Sequence, residues 1–231
     1  MNYSIFRVLI VLLAPLITIS TSSVHADADK AAIDQAVELT NHQKYQQAYD
    51  ILKPLADKNN AYAYDRLGVL HGSNTNNNPH YNLEKELSAY YIAAKAGIAH
   101  AKFGYASSLR RKVTYRDKPD IYKKNYAEAC NWYKKSALQG FGYAQVETAW
   151  CYEQGRFDGI KNYTKAYMWF ALAANRFEVE DDPYSPNSMT SKLMQRVAKK
   201  GKLSENQIRQ ALEMAREIEK NRLANTAQPA K

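Results

Sequence analysis

The chain has 231 residues, of which 45% are hydrophobic, enough apolar matter to bury a core and too much for wholesale disorder. Glycine and proline are scarce, at 9 and 7 residues, and no stretch alternates apolar and polar residues long enough to propose a sheet, which leaves an all-α chain. The formal charge of +9 favours solubility and acidic partners or surfaces.

The N-terminus reads as an export signal. MNYSIFR carries one cation, VLIVLLAPLITI is an uninterrupted apolar run apart from Pro15, and STSSVHA ends in the small-x-small pattern that signal peptidase accepts. This predicts a signal peptide over residues 1–26 and a mature chain from Asp27, in a bacterial periplasm or the extracellular space. The run is shorter than the roughly 20 residues of a membrane span, so the mature chain is expected to have no transmembrane segment. No cysteine follows it to carry a lipid. Export in turn argues against nucleic acid as the partner.

Internal repetition begins downstream. The series Asn125, Trp132, Gly140 and Ala144 has the same spacing as Asn82, Ala89, Gly97 and Ala101. Lys44, Ile51, Asn59 and Ala63 keep it with weaker residue types, and Asn162, Trp169 and Phe177 keep the first two intervals before the register breaks at Asp181. Each unit reads as two helices. NYAEACNWYKKSALQG and NYTKAYMWFALAAN open on an Asn suited to capping a helix. Ahead of the repeated second helices lie AYDRLGVLH, AKFGYASSL and AQVETAWCY. In each of these the first Ala and the residues four, five and eight further on share one face. Neither helix buries its face alone, so the units must stack. The predicted architecture is an α-solenoid of antiparallel helical hairpins.

The pattern resembles the Sel1-like repeat, a relative of the tetratricopeptide repeat. Ala63, Leu67, Gly68 and His71 match the first part of the unit, and Ala144, Tyr152, Gly155, Ile160, Asn162, Ala166 and Trp169 match in the third unit, with Asn162 standing where the family usually has Asp. Tyr105 and Ala106 depart from Leu-Gly, and Ala89 stands where the second helix usually has Trp. The expected organisation is a degenerate hairpin over 27–60, three repeats over about 61–98, 99–141 and 142–178, a linker over 179–187, capping helices over 188–222 and a flexible tail over 223–231. SENQ at 204–207 is a capping-box pattern opening the last helix.

The resemblance implies a binding face. Residues one before the repeat alanine, and two, six, nine and ten after it, should line the concave side of the solenoid. The partner-binding residues expected there are Tyr62, Asp65, His100, Phe103, Arg110, Arg111, Tyr143, Trp150 and Glu153, with Val69, Gly72, Ser73, Ser107, Val146 and Gln154 completing the positions. Aromatics beside arginines have the composition of binding hot spots; the alternative is that some of these rings pack against the next unit. The basic stretch RRKVTYRDKPDIYKK, residues 110–124, reads as an enlarged loop that either meets an acidic partner or is simply solvated.

Chemistry finds no owner. The five histidines have no metal-ligand spacing, the acidic run 178–182 lacks calcium-loop spacing, and no nucleophile motif or phosphate loop is present. No metal, cofactor or catalytic residue is expected. Cys130 and Cys151 fall at similar heights on antiparallel helices, where they could bond in an oxidising compartment or remain two small buried thiols. The resulting expectation is a periplasmic, non-catalytic adaptor, regulator or inhibitor, including the immunity-protein type, that binds another protein with an acidic surface. The competing class is a β-lactam-binding or hydrolysing protein like the cysteine-rich Sel1-like proteins, which carry a disulfide in every unit.

Overall fold

The computed structural model describes residues 21–112, 118–174 and 186–226. These form α1 (Thr21–Asn41), α2 (Tyr45–Asp57), α3 (Ala61–Gly72), α4 (Leu83–Lys95), α5 (Ala99–Arg111), α6 (Pro119–Leu138), α7 (Gly142–Gln154), α8 (Tyr163–Ala174), α9 (Pro186–Gly201) and α10 (Glu205–Thr226). The apolar leader run, most of the expected linker and the last five residues lie outside the described residues, and α1 begins six residues ahead of the expected mature N-terminus, Asp27. Among the described residues there is no strand, and no helix is long and apolar enough to cross a membrane.

From α1 to α9 each helix packs on the next in the chain, and α10 folds back onto α8. The first helices of successive hairpins also touch side by side, α1 on α3 and α3 on α5. Two rows result, with α1, α3, α5 and α7 in one and α2, α4, α6 and α8 in the other. This is the solenoid that the repeat spacing predicts. The repeat alanines Ala63, Ala101 and Ala144 are each fully buried, because a methyl group is all that fits where neighbouring backbones approach.

Asparagines start the helices where the sequence places them, with one exception. The side chains of Asn82 and Asn162 accept from the amides of Lys85 and Lys165, both at 2.9 Å, and Asn60 caps α3 by accepting from Tyr62 and Ala63. Asn125, expected as a cap, lies inside α6, which begins at Pro119. A proline in the first turn has its φ preset and no amide to satisfy, and Asp120 beside it suits the positive end of the helix dipole. Residues 119–124 of the expected basic loop are therefore helical; 113–117 lie outside the described residues. At the end of α7, Gly155 adopts φ +67°, and a Cβ there would stand 2.9 Å from the Gly159 carbonyl oxygen, so the turn requires glycine.

The second row carries the bulky core, with Trp169, Tyr133 and Phe170 almost fully enclosed. Cys130 of α6 and Cys151 of α7 are joined in a disulfide, with their Cα atoms 5.9 Å apart. The α9–α10 pair closes the far end by packing Val197, Ala211 and Ala215 into the cluster around Met168 and Phe170. Its α10 starts with the reciprocal capping box: Gln207 Oε1 accepts from the Ser204 amide at 2.9 Å while Ser204 Oγ accepts from the Gln207 amide.

Candidate functional site: the row of first helices

The residues expected to line one face do lie along the first-helix row, but at three different depths. Tyr62 and Tyr143, each one residue before a repeat alanine, stay 62% and 57% exposed. Phe103 and Trp150 are half-buried. The Phe103 ring lies among Tyr133, Phe141 and Tyr143, with centroids 5.5, 5.2 and 6.3 Å away. Trp150 stands edge-on to Phe170 at 5.7 Å, and the Arg196 guanidinium covers it at 4.4 Å. These two rings join units as well as lining the face.

Asp65 and Glu153 differ from expectation. The repeat spacing puts both on the open face, and both are buried. Asp65 lies beneath α5, where His100 Nδ1 donates to Oδ1 at 2.7 Å; its other oxygen has the Arg66 guanidinium at 3.2 Å, without good hydrogen-bond geometry. Glu153 takes Arg196 at 2.5 Å and Lys200 at 2.9 Å, both from α9. The physical reason is the same for both: a neighbouring helix, α5 over Asp65 and α9 over Glu153, covers the position, so its carboxylate serves the joint between units. His100 is thereby a joint residue, and its ring also meets Phe141 edge-on at 5.8 Å.

Arg110 and Arg111 end α5. Arg110 donates to Glu147 of α7 at 3.2 Å and lies over the Tyr126 ring, and Arg111 reaches the buried Glu86 carboxylate, which also accepts from Ser108. Burial pushes the Glu147 carboxyl above its ordinary range, and Arg110 only partly offsets that. Burial also raises the Tyr133 phenol, to about 12, beside Glu147 and with Ser107 at hydrogen-bond distance from its hydroxyl.

Sequence reasoning missed Arg66, Glu147, Arg156, Arg196 and Lys200. Glu147 and Arg156 fall outside the positions taken as groove-facing, and α9 was read only as a cap. The signal available for α9 was its basic last turn. Among the described residues, no group of three or more His, Cys, Asp or Glu gathers as a metal site. His71 and His80 instead fasten the α3–α4 connection: His71 Nδ1–H donates to the His80 carbonyl at 2.7 Å, and the His80 ring stacks on Tyr49 at 4.1 Å. Burial holds both imidazoles below their ordinary pKa.

Fold and face together define an α-solenoid of stacked helical hairpins with a partly exposed aromatic and cationic row. Residues 118–141 and 142–176 match the Sel1 repeat family, so this part of the chain carries two Sel1 repeats. Among solved structures it is similar to a Sel1 repeat protein from Oxalobacter formigenes, at 19% identity and a TM-score of 0.57, covering 80% of this chain and 69% of that one. A second likeness is to a protective antigen of uropathogenic Escherichia coli strains with an SLR fold, at 19% identity and a TM-score of 0.45, covering 91% of this chain and about half (51%) of that one. No curated protein matches the chain.

Proposed function

We propose that the protein is a non-catalytic interaction scaffold, an adaptor, regulator or inhibitor, that holds a partner protein on its first-helix row in an exported, oxidising compartment. The observation that carries this reading is the placement of Tyr62 and Tyr143. Both are large rings left mostly exposed at the same repeat position, and Tyr143 is backed by the packed rings of Phe103 and Phe141. An aromatic that is solvent-facing yet held from behind contributes contact area at low entropic cost, which is how hot spots arise. The bonded Cys130–Cys151 pair supports the compartment, because such bonds persist where the surroundings are oxidising.

The reading is tested by Tyr62→Ala and Tyr143→Ala. Each should weaken capture of the native partner from an envelope extract by about 30-fold or more, the equivalent of roughly 2 kcal/mol. Helicity and melting temperature should stay unchanged, since neither ring is core. Unaltered capture by both variants would refute it.

A further inference from the structure

Four carboxylates on α3, α4 and α7 share an asymmetry: the acid is the more buried member of its ion pair and the base the more exposed one, unlike the exposed Lys30–Asp34 and Lys112–Glu84 pairs. Side-chain exposure is 0% for Asp65 against 33% for Arg66, and 4% for Glu86 against 46% for Arg111. It is 22% for Glu147 against 36% for Arg110, and 2% for Glu153 against 42% and 52% for Arg196 and Lys200. What this surface presents is therefore the cation, aimed by a carboxylate beneath it. A guanidinium carries five N–H donors in a rigid fork, so one bonded to a buried acid keeps donors for a second anion.

The effect concentrates where α5, α7 and α9 end. Arg110 and Arg111 close α5, Arg156 follows α7, and Arg196 and Lys200 stand in the last turns of α9. These groups are linked across the helices: Arg110 and Arg156 both lie over the Tyr126 ring, at 5.9 and 4.7 Å, and Arg196 covers Trp150. Favourable interaction with the helix dipole explains a cation at any one helix end. It does not require the cations of α5 and α9 to be steered to the surface by acids underneath, with Arg156 between them held by the Gln154 side-chain carbonyl and the Tyr126 ring.

We infer that the ends of α5, α7 and α9 form a docking site for an extended acidic segment of the partner protein, an inference that rests on the scaffold reading above and names the chemistry of what is held. Packed helices lie about 8–10 Å apart, and an extended chain of the polyproline-II form rises about 3.1 Å per residue with three residues per turn, which puts every third side chain on one face. Carboxylates three residues apart therefore reach successive helix ends. Paired with guanidiniums they make charge-assisted bonds that are forked where geometry allows.

The test is fluorescence anisotropy with a fluorescein-labelled nonapeptide carrying Glu at positions 2, 5 and 8 on a Gly/Ser background, titrated with the whole protein at low salt. Saturable binding is expected, at least tenfold tighter than for the peptide with Gln at those positions and severalfold tighter than for one with three consecutive Glu. Arg196→Gln with Lys200→Gln should weaken it about tenfold. That variant leaves Glu153 unpaired and could misfold, so Glu153→Gln is the decisive companion. It keeps both cations and frees them from their buried competitor, and should tighten binding about threefold. No saturable binding by the wild type, or no tightening in Glu153→Gln, would overturn the inference. So would polyphosphate or phosphatidylglycerol vesicles outcompeting the peptide, which would mark a general polyanion surface. Tyr62 and Tyr143 lie at the opposite, N-terminal ends of their twelve- and thirteen-residue helices, a length of about 20 Å, so this site and the scaffold reading fail separately.

Discussion

Replacing a helical glycine by alanine ordinarily stabilises a helix by about 1 kcal/mol; at Gly68 and Gly104 the sign should reverse. Both glycines, one on α3 and one on α5, face the ring of Tyr90 on α4, which is 7% exposed. A Cβ on Gly68 would stand 2.5 Å from Tyr90 Cδ1, and one on Gly104 would stand 2.6 Å from Cε1 and Cζ. Ordinary contact would need the ring to retreat by about 1 Å into a close-packed interior. Overpacking of this kind costs about 1–3 kcal/mol, which exceeds the propensity gain. Gly68→Ala and Gly104→Ala should each lose about 1 kcal/mol net, and for a chain of this length that lowers Tm by about 2–4 °C. Thermal melts followed by circular dichroism at 222 nm measure it. The reasoning also predicts rescue: in a Tyr90→Leu background, which lacks Cε1 and Cζ, Gly104→Ala should become stabilising. A rise in Tm for either single variant in the native background would refute the close-approach account.

The remaining predictions concern the disulfide, one half-buried acid and the absence of lactam chemistry. Cys130→Ser with Cys151→Ser opens a link of sequence separation 21 and should lose about 3 kcal/mol, or about 6–12 °C in Tm; mass spectrometry of the non-reduced native protein should find no free thiol. Glu147 has its pKa raised by burial, so its charge is a burden on the folded state above that pKa, and the burden disappears as pH falls below the ordinary carboxyl value. Glu147→Gln should therefore raise Tm at pH 7–8, with the difference closing towards pH 4; a difference that grew in acid would contradict the assignment. Purified protein should show no turnover of nitrocefin, and measurable turnover would transfer the function to the β-lactam class.

What was legible in the sequence is what repeats for a steric reason. Ala63, Ala101 and Ala144 recur because every unit needs the same close backbone approach, and all three are fully buried. Gly104 escaped that logic. It sits three residues after its repeat alanine, whereas Gly68 sits five after its own, yet both meet the same ring from neighbouring first helices. Asn125 matched the capping spacing but was overruled by Pro119, a stronger start signal six residues upstream. The candidate face was half legible. Spacing identified the row, but burial depends on which neighbour covers a position, and that separates open Tyr62 from sealed Asp65 three residues later. The disulfide was undecidable from height alone, because facing is set by how α6 and α7 rotate against each other.

The most direct test of the central claim is site-specific photocrosslinking in cells, with p-benzoylphenylalanine placed singly at Tyr62 and Tyr143 on the first-helix row and at Tyr91 and Ile92 on α4 of the second row. All four side chains are exposed large hydrophobics, from 39% to 62%, so probe accessibility is comparable. The account predicts one discrete adduct of the same mass from positions 62 and 143 and none from 91 and 92. The same adduct from the α4 positions, with nothing at 62 and 143, would place the partner on the other row and contradict it.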